Sequence, residues 1–331
     1  MKEILEKLTQ HVILEQQEAK EVLTKITTGT YTDIEIAAFL TVYMMRDITP
    51  GELAGFREAL LGLAVPVNLN GYDTLDVCGT GGDGKNTFNI STLTAFVAAG
   101  AGAKVAKHGN AAASSASGSS DIMQHFGYSF SNDHDKLLRE LEKAGICYLH
   151  APLFHPALKN VAPVRKTLRL RTFFNILGPM VNPARPTRQL VGIYDRKVQD
   201  LYADVFAQTP VRYFLVHSLD GYDEISLTSD FRLITPASRQ TLSPADLPWG
   251  YVSPTMIRGG KTLRQNASIF TDILEGRGTE AQNKVVIANT AYALQCYFPE
   301  KSAEETTAMA EESLISGKAN IVFRTLINMQ P

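Results

Sequence analysis

The sequence predicts an α/β protein in two parts, a small all-helical domain and a larger domain whose mostly parallel central sheet is flanked by helices. Three observations carry that prediction. Apolar side chains recur at helical spacing through the first 70 residues, and from Asp73 onward strand-like apolar runs alternate with helical patterns. Between the first such strand and the helix after it stands a cluster of glycines, Gly79, Gly81 and Gly82.

Taken in order, Ile4, Leu5 and Leu8 share one helical stripe, and Ala19, Val22, Leu23 and Ile26 form another. Two helix starts are punctuated. Thr32 with Glu35 reads as a capping box ahead of residues 36–45, and Thr49, Pro50 at the first helical position and Glu52 read as a second. Strands are expected over residues 74–77, 104–107, 146–149, 189–194 and 212–217. The helical patterns at 134–144 and 198–207 imply right-handed βαβ crossovers and hence a parallel sheet. Residues 155–168 and 172–177 again read as helical. Residues 242–254, with Pro244, Pro248, Pro254 and the only tryptophan, Trp249, read as an ordered irregular loop whose aromatic packs. Helices over 280–297 and 303–316 are expected to cover the sheet. No internal repeat, low-complexity tract or long linker interrupts the pattern.

With 331 residues, 44% hydrophobic and 20% charged, the chain is long enough to bury the cores of both parts, and its composition argues against disorder. No apolar run approaches the roughly 20 residues that cross a bilayer, and MKEILEKLTQ is amphipathic without a signal-peptide core, so a cytoplasmic location is expected. Cys78, Cys147 and Cys296 lack metal-ligand spacing and read as thiols in a reducing compartment. A formal charge of -2 gives no general attraction to nucleic acid, so phosphate binding must be local.

Residues 76–121 carry the chemistry. Glycines let the backbone approach a ligand closely, and the run after Asn89-Ile90-Ser91-Thr92 starts a helix whose positive dipole end faces the same place. The amides of Gly79, Gly82 and Asp83, the hydroxyls of Thr87, Ser91 and Thr92 and the Asn89 amide fit pyrophosphate or ribose hydroxyls. Lys107, ending the next strand, adds a full positive charge. The segment from Gly109 to Ser119 supplies further amides and the hydroxyls of Ser114, Ser115, Ser117 and Ser119 for a second anion, with Gly118 turning the chain into a helix expected from Asp121. Taken singly, Ser91 reads as a helix cap, Asn89 as an Asx-turn and Lys107 as a solvated strand end. Asp223-Glu224, after the strand ending near His217, offers adjacent carboxylates for a hard cation or plain solvated surface; Asp220 fits a turn. There is no Gly-x-Ser-x-Gly elbow and no Walker P-loop.

The strings GTGGDG, NIST, KHGN and SSASGSSD, followed in order by HAPLFHPALKNVAPVR, FNILGPMVNPA and DGYDEIS, resemble the anthranilate phosphoribosyltransferase family over essentially the whole chain. The resemblance implies a nucleoside phosphorylase/phosphoribosyltransferase-like fold. In it, residues 1–70 are completed by about 155–180 as a discontinuous helical domain, with 71–154 and 181–331 forming the large α/β domain. It implies transfer of the phosphoribosyl group of 5-phosphoribosyl 1-diphosphate (PRPP) to the amine of anthranilate, with release of pyrophosphate, in tryptophan biosynthesis. It further implies Mg2+, two ions per subunit, a homodimer through the helical domain, and a cleft between domains that closes on substrate.

Residue by residue, the resemblance places Gly79, Gly82, Asp83, Thr87, Asn89, Ile90, Ser91, Thr92, Lys107, His108, Gly109, Asn110, Ser114, Ser115 and Ser119 on PRPP. Ser91, Asp223 and Glu224 match metal ligands. Gly79, Asn110 and Arg165 match anthranilate contacts, with His108, His155 and Pro156 lining the same cleft; His155 suits a packing role equally well. Arg171 and Lys166 read as surface charges. The implied chemistry develops oxocarbenium character at C1 and needs no protein nucleophile, and no general base is nominated. Ala111-Ala112-Ala113 stands where many members of the family place an arginine or a larger side chain, and Ala116 where a lysine is common, which puts PRPP affinity in question. Two other readings stay open: a pyrimidine nucleoside phosphorylase on the same scaffold, and a non-catalytic homologue that binds nucleic acid. Asp223-Glu224 and Arg165 argue against both.

Overall fold

The structure, a computed structural model, describes residues 1–112 and 116–330. A seven-stranded sheet runs in the order β3-β2-β1-β4-β5-β6-β7. Its strands are β1 Leu75–Gly79, β2 Val105–Gly109, β3 Ile146–His150, β4 Arg188–Gly192, β5 Arg212–Ser218, β6 Phe231–Ile234 and β7 Arg239–Leu242. The first five are parallel, as their alternation with helices requires. The expected strands are found, with β1 and β2 extending through Gly79 and Gly109, so both glycines finish strands at the edge where the loops begin. The antiparallel pair β6 and β7 was not expected. Each is four residues long, and Arg-Gln-Thr-Leu on β7 is a largely exposed polar edge with no apolar alternation to betray it.

The parallel strands are buried on both faces, with alternate side chains feeding different cores. Leu190, Phe214 and Val216 join the core built from helices 90–100, 263–274, 280–297, 303–315 and 318–328. Val191, Ile193 and Leu215 join the opposite core, shared by helix 196–206, the four N-terminal helices and the segment around 161–181. Helices 134–144 and 280–297 match their expected bounds, and helix 303–315 ends one residue early. Helices 263–274 and 318–328 were not singled out in the sequence. Trp249 is buried in the first core beside Tyr292, a packing role.

Both N-terminal capping boxes are present. Glu52 does more than cap. Its buried carboxylate accepts from Thr49 N–H at 3.0 Å, Leu14 N–H at 3.1 Å and the Tyr43 hydroxyl at 2.9 Å, and pairs with the Arg46 guanidinium. One side chain thereby ties the entry to helix 16–27, the end of helix 33–45 and the start of helix 50–63 together.

Residues 155–177 are less regular than their apolar pattern suggests. A 3-10 turn, Pro156–Asn160, leads into helix Ala162–Leu168; a one-turn helix, Phe174–Leu177, follows and passes into a second 3-10 turn, Gly178–Met180. Pro156, Pro163 and Pro179 each sit in the first turn of their element, where a missing N–H costs nothing, and keep the pieces short. The segment packs onto the N-terminal helices: Asn160 Nδ2 donates to Thr27 O at 2.7 Å, and helix 162–168 lies against helix 33–45.

Candidate active site

β1 pairs with β2 on one side and β4 on the other, so the strand order reverses between β1 and β4. The carboxyl ends of strands at such a switch point open into a crevice where ligands of α/β sheets bind. Here that crevice receives the glycine loop after β1, the serine-rich segment after β2 and the carboxylate loop after β5. Gly79 and Gly192 face each other across the reversal, and a Cβ on either would overlap Asp223. Their bareness makes room for the carboxylate loop. Gly81, at φ +68°, takes the left-handed conformation that glycine tolerates and points its N–H at Asp223 Oδ2, 2.7 Å away.

Asp223 is buried, and burial, followed by the nearby Asp83 charge, pushes its carboxyl up to about 7. Burial also raises Asp83. Glu224 is driven well above the carboxylate range by burial and then by Asp223 and Asp83; it faces the Ser91 amide and the Thr87 hydroxyl, and its Oε2 has no hydrogen-bond partner among the described residues. Among the described residues no cluster of three His, Cys, Asp or Glu side chains forms a ready-made metal cage. Two crowded carboxylates with an orphaned oxygen, beside Ser91, are instead the donor set suited to Mg2+, which uses one or two carboxylates and completes its shell with water and substrate phosphate.

Helix 90–100 begins at Ile90 with Asn89 as its cap residue. Asn89 makes no cap bond; its side chain exchanges hydrogen bonds with Ser117, Nδ2 to the Ser117 carbonyl at 3.3 Å and Oδ1 from the Ser117 hydroxyl at 3.1 Å. This joins the glycine loop to the serine segment. The Ile90 side chain lies in the core, and the hydroxyl of buried Thr92 has no partner among the described residues. Ser114 and Ser115 lie outside the described residues. The next helix begins at Ser119 rather than Asp121, because the Asp121 carboxylate accepts the N–H groups of Gly118 and Ala112, each at 2.8 Å, and closes the turn early. Asn110 is exposed, its Oδ1 holding the Ala111 N–H at 2.8 Å, and Ala111 and Ala116 are exposed.

Lys107 is no solvated strand end. It is buried, its Nζ donating to Val77 O at 2.6 Å, with Asp76 and Glu224 as its favourable charges. Asp76, inside an apolar strand, accepts from Asn182 Nδ2 at 2.9 Å and from the His108 N–H at 3.2 Å. Asn182 also donates to Ala106 O at 2.8 Å, pinning the FNILGPMVNPA segment to the sheet. Neither Asp76 nor Asn182 was picked out in the sequence, although a carboxylate between Leu75 and Val77 was the available signal.

His108 is buried with one ring nitrogen facing the Gly178 carbonyl and an Nε2 that has no partner among the described residues; burial, then His155, lower its pKa to about 3, so the ring is neutral. The His155 ring centre lies 5.4 Å away, with its Nε2 2.9 Å from Val181 O. His155 is thus held in packing, while Pro156 is exposed. Arg165, half-buried on helix 162–168, places its guanidinium 5.2 Å from the Phe174 ring centre and makes no side-chain hydrogen bond or ion pair with the described residues. Arg171 is exposed, but its guanidinium sits over Tyr194 at 5.3 Å and beside Gly82, reaching from the helical segment to the glycine loop.

Two family models match this arrangement: the helical bundle domain of the glycosyl transferase family over residues 2–64 and the a/b domain of that family over residues 71–320. The anthranilate phosphoribosyltransferase of Flavobacterium johnsoniae is 54% identical over 318 residues, 96% of each chain. Among solved structures, the anthranilate phosphoribosyltransferase of Thermus thermophilus superposes with a TM-score of 0.92 at 31% identity, covering 98% of both chains. That of Saccharomyces cerevisiae, in complex with PRPP and Mg, gives 0.91 at 26% identity over 98% of this chain and 96% of the other. The chain belongs to the anthranilate phosphoribosyltransferase family.

Proposed function

We propose that this chain transfers the phosphoribosyl group of PRPP to the anthranilate amine, releasing pyrophosphate, with the glycine and serine loops holding the donor and Arg165 the acceptor. The observation that carries the acceptor half is Arg165, a half-buried guanidinium without an anion to pair with among the described residues. A planar guanidinium binds a carboxylate in bidentate fashion, and Phe174 beside it offers an apolar wall. The neutral His108, its N–H committed to Gly178, presents Nε2 as an acceptor for an amine proton and so orients the nucleophile without deprotonating it.

On the donor side, main-chain amides of 79–83 and the Ser91 and Thr92 hydroxyls fit the diphosphate, and the serine segment through Ser119 fits the remaining phosphate. Asp223 and Glu224, with Ser91, would hold Mg2+, which supplies neutralising charge for the leaving diphosphate. Buried Lys107 contributes a fixed positive charge from beneath the loop rather than a direct arm. The rate enhancement in this reading comes from alignment and electrostatic preorganisation. The same reading includes two Mg2+ ions per subunit, the boundaries 1–70 with about 155–180 against the rest, a homodimer through the helical domain, and a cytoplasmic location. Among the described residues no helix is long and apolar enough to cross a membrane.

The test is loss of anthranilate fluorescence with PRPP and Mg2+. The wild type consumes anthranilate only when both are present, and Asp223→Asn with Glu224→Gln abolishes turnover in a folded protein. A wild type inert toward anthranilate, or active without PRPP, overturns the reading.

A further inference from the structure

Behind Ser119 runs a chain of hydroxyls that the proposed reaction does not by itself require. The Tyr148 hydroxyl donates to Ser119 Oγ at 2.7 Å and lies 3.2 Å from Ser120 Oγ, which is 2.8 Å from His150 Nδ1. The His150 ring is held in place by Phe130, stacked on it at 4.4 Å and 21°. Tyr148 and His150 are two residues apart on β3, so both face the same side of the sheet, and the register places His150 opposite Gly109. Gly109 is what leaves the path open. A Cβ there would overlap both the Tyr148 hydroxyl and Ser119 Oγ.

Counting protons fixes the direction. Three contacts link the four groups. Tyr148 donates to Ser119, whose own hydrogen lies toward Asn110 O, so if His150 carries its proton on Nε2 only the Ser120 hydrogen remains for the other two contacts, and one is left empty. With the proton on Nδ1, each contact holds one hydrogen: His150 donates to Ser120, Ser120 to Tyr148 and Tyr148 to Ser119. Burial keeps the Tyr148 phenol protonated and lowers the His150 pKa against the opposing charge of Asp121, so the relay joins neutral groups. At its far end the Ser119 proton rests on a long contact, 3.4 Å to Asn110 O, from which it is easily redirected.

We propose that His150, Ser120 and Tyr148 are positioning residues that act through Ser119, orienting and polarising its hydroxyl as a donor to a phosphate of PRPP. This rests on the reading of Ser119 as a phosphate contact. Aligned hydrogen bonds strengthen one another, so an occupied acceptor site on Ser119 makes its proton the better donor. It also supplies donor strength in a segment where Ala111 and Ala116 bring no charge.

The experiment is steady-state kinetics of the full chain in both substrates. Tyr148→Phe keeps the ring and removes the hydroxyl; it raises KM for PRPP about fivefold, the worth of one ordinary hydrogen bond, while kcat and KM for anthranilate hold. His150→Phe keeps the stack on Phe130 and gives a smaller rise of about twofold. His150→Asn, which returns a donor near the Nδ1 position, restores the wild-type value. Ser120→Ala cuts the relay independently, and the double variant Tyr148→Phe/His150→Phe is no worse than Tyr148→Phe alone, because His150 works only through Tyr148. Additive effects in the double variant overturn the relay. So does an unchanged KM for PRPP in Tyr148→Phe when Ser119→Ala raises it, an outcome that leaves the phosphate reading standing. If Ser119→Ala itself changes nothing, that reading falls and the relay with it.

Discussion

Replacing Arg165 by alanine removes the one cation assigned to the acceptor's carboxylate, and the structure sets how large the effect is. The guanidinium has no hydrogen-bond or ion-pair partner among the described residues, so its loss leaves no buried protein carboxylate stranded. What the fold loses is contact with Phe174, about 0.5–1 kcal/mol for a cation over a ring, which in a chain of this size moves Tm by about 2 °C. What binding loses is a charge-assisted pair. At a half-buried position that is about 2 kcal/mol, or about a 30-fold rise in KM for anthranilate. The carboxylate does not change during the reaction, so the interaction is equal in ground and transition states and kcat at saturation changes little. Arg165→Lys keeps the charge without the planar fork and falls between the two. The assay is anthranilate fluorescence at fixed saturating PRPP and Mg2+, with thermal unfolding run alongside. An unchanged KM, or a KM for PRPP that rises instead, refutes the placement of the acceptor.

Asp223→Asn with Glu224→Gln is expected to raise the Tm of the metal-free protein at pH 8, because the buried Asp223 carboxylate, crowded by Asp83 and Glu224, no longer has to carry a charge; Mg2+ then stabilises the wild type in calorimetry but not the variant. Gly79→Ala forces a methyl into Asp223 and costs about 1–3 kcal/mol by denaturant unfolding, with a fall in Mg2+-dependent kcat/KM. Glu52→Gln strands Arg46 and destabilises by about 3 kcal/mol in urea, far from the site and without a change in KM. The folded-state pKa of Glu52 lies below its ordinary value of 4.5, since its hydrogen bonds outweigh burial; its contribution is therefore present above about pH 4.5 and lost as pH falls through the folded value, which a pH series of unfolding midpoints in wild type and Glu52→Gln reads directly. Ala111→Arg restores an exposed charge beside Asn110 and lowers KM for PRPP about twofold, the modest worth of a solvated ion pair.

What could be read from the sequence was local. The Thr32 and Thr49 boxes close between residues three apart, and the parallel strands announce themselves as apolar runs between helical patterns. The glycine and serine loops were legible because their donors are contiguous. Sequence reading missed what depends on distant partners. Lys107 looked like a strand end, since nothing beside it in the chain tells of Val77 and Asp76 across the sheet. Arg171 is an exposed charge by sequence and a neighbour of Gly82 only after the helical segment folds back. Asn182 ties two strands through one amide, and the hydroxyl chain from His150 to Ser119 exists only because the register of β2 and β3 sets Gly109 opposite His150. Of the antiparallel edge, β7 had no apolar alternation to show, and the four residues of β6 are too few to set a period.

The central claim is that the donor's phosphates lie in the crevice where β1, β2 and β5 end. A structure of this protein with PRPP and Mg2+ tests it most directly. The diphosphate is expected against residues 79–92 with the metal on Asp223 and Glu224, and the other phosphate within hydrogen-bond reach of Ser119. Sugar donor bound elsewhere, with those loops and carboxylates empty, contradicts it.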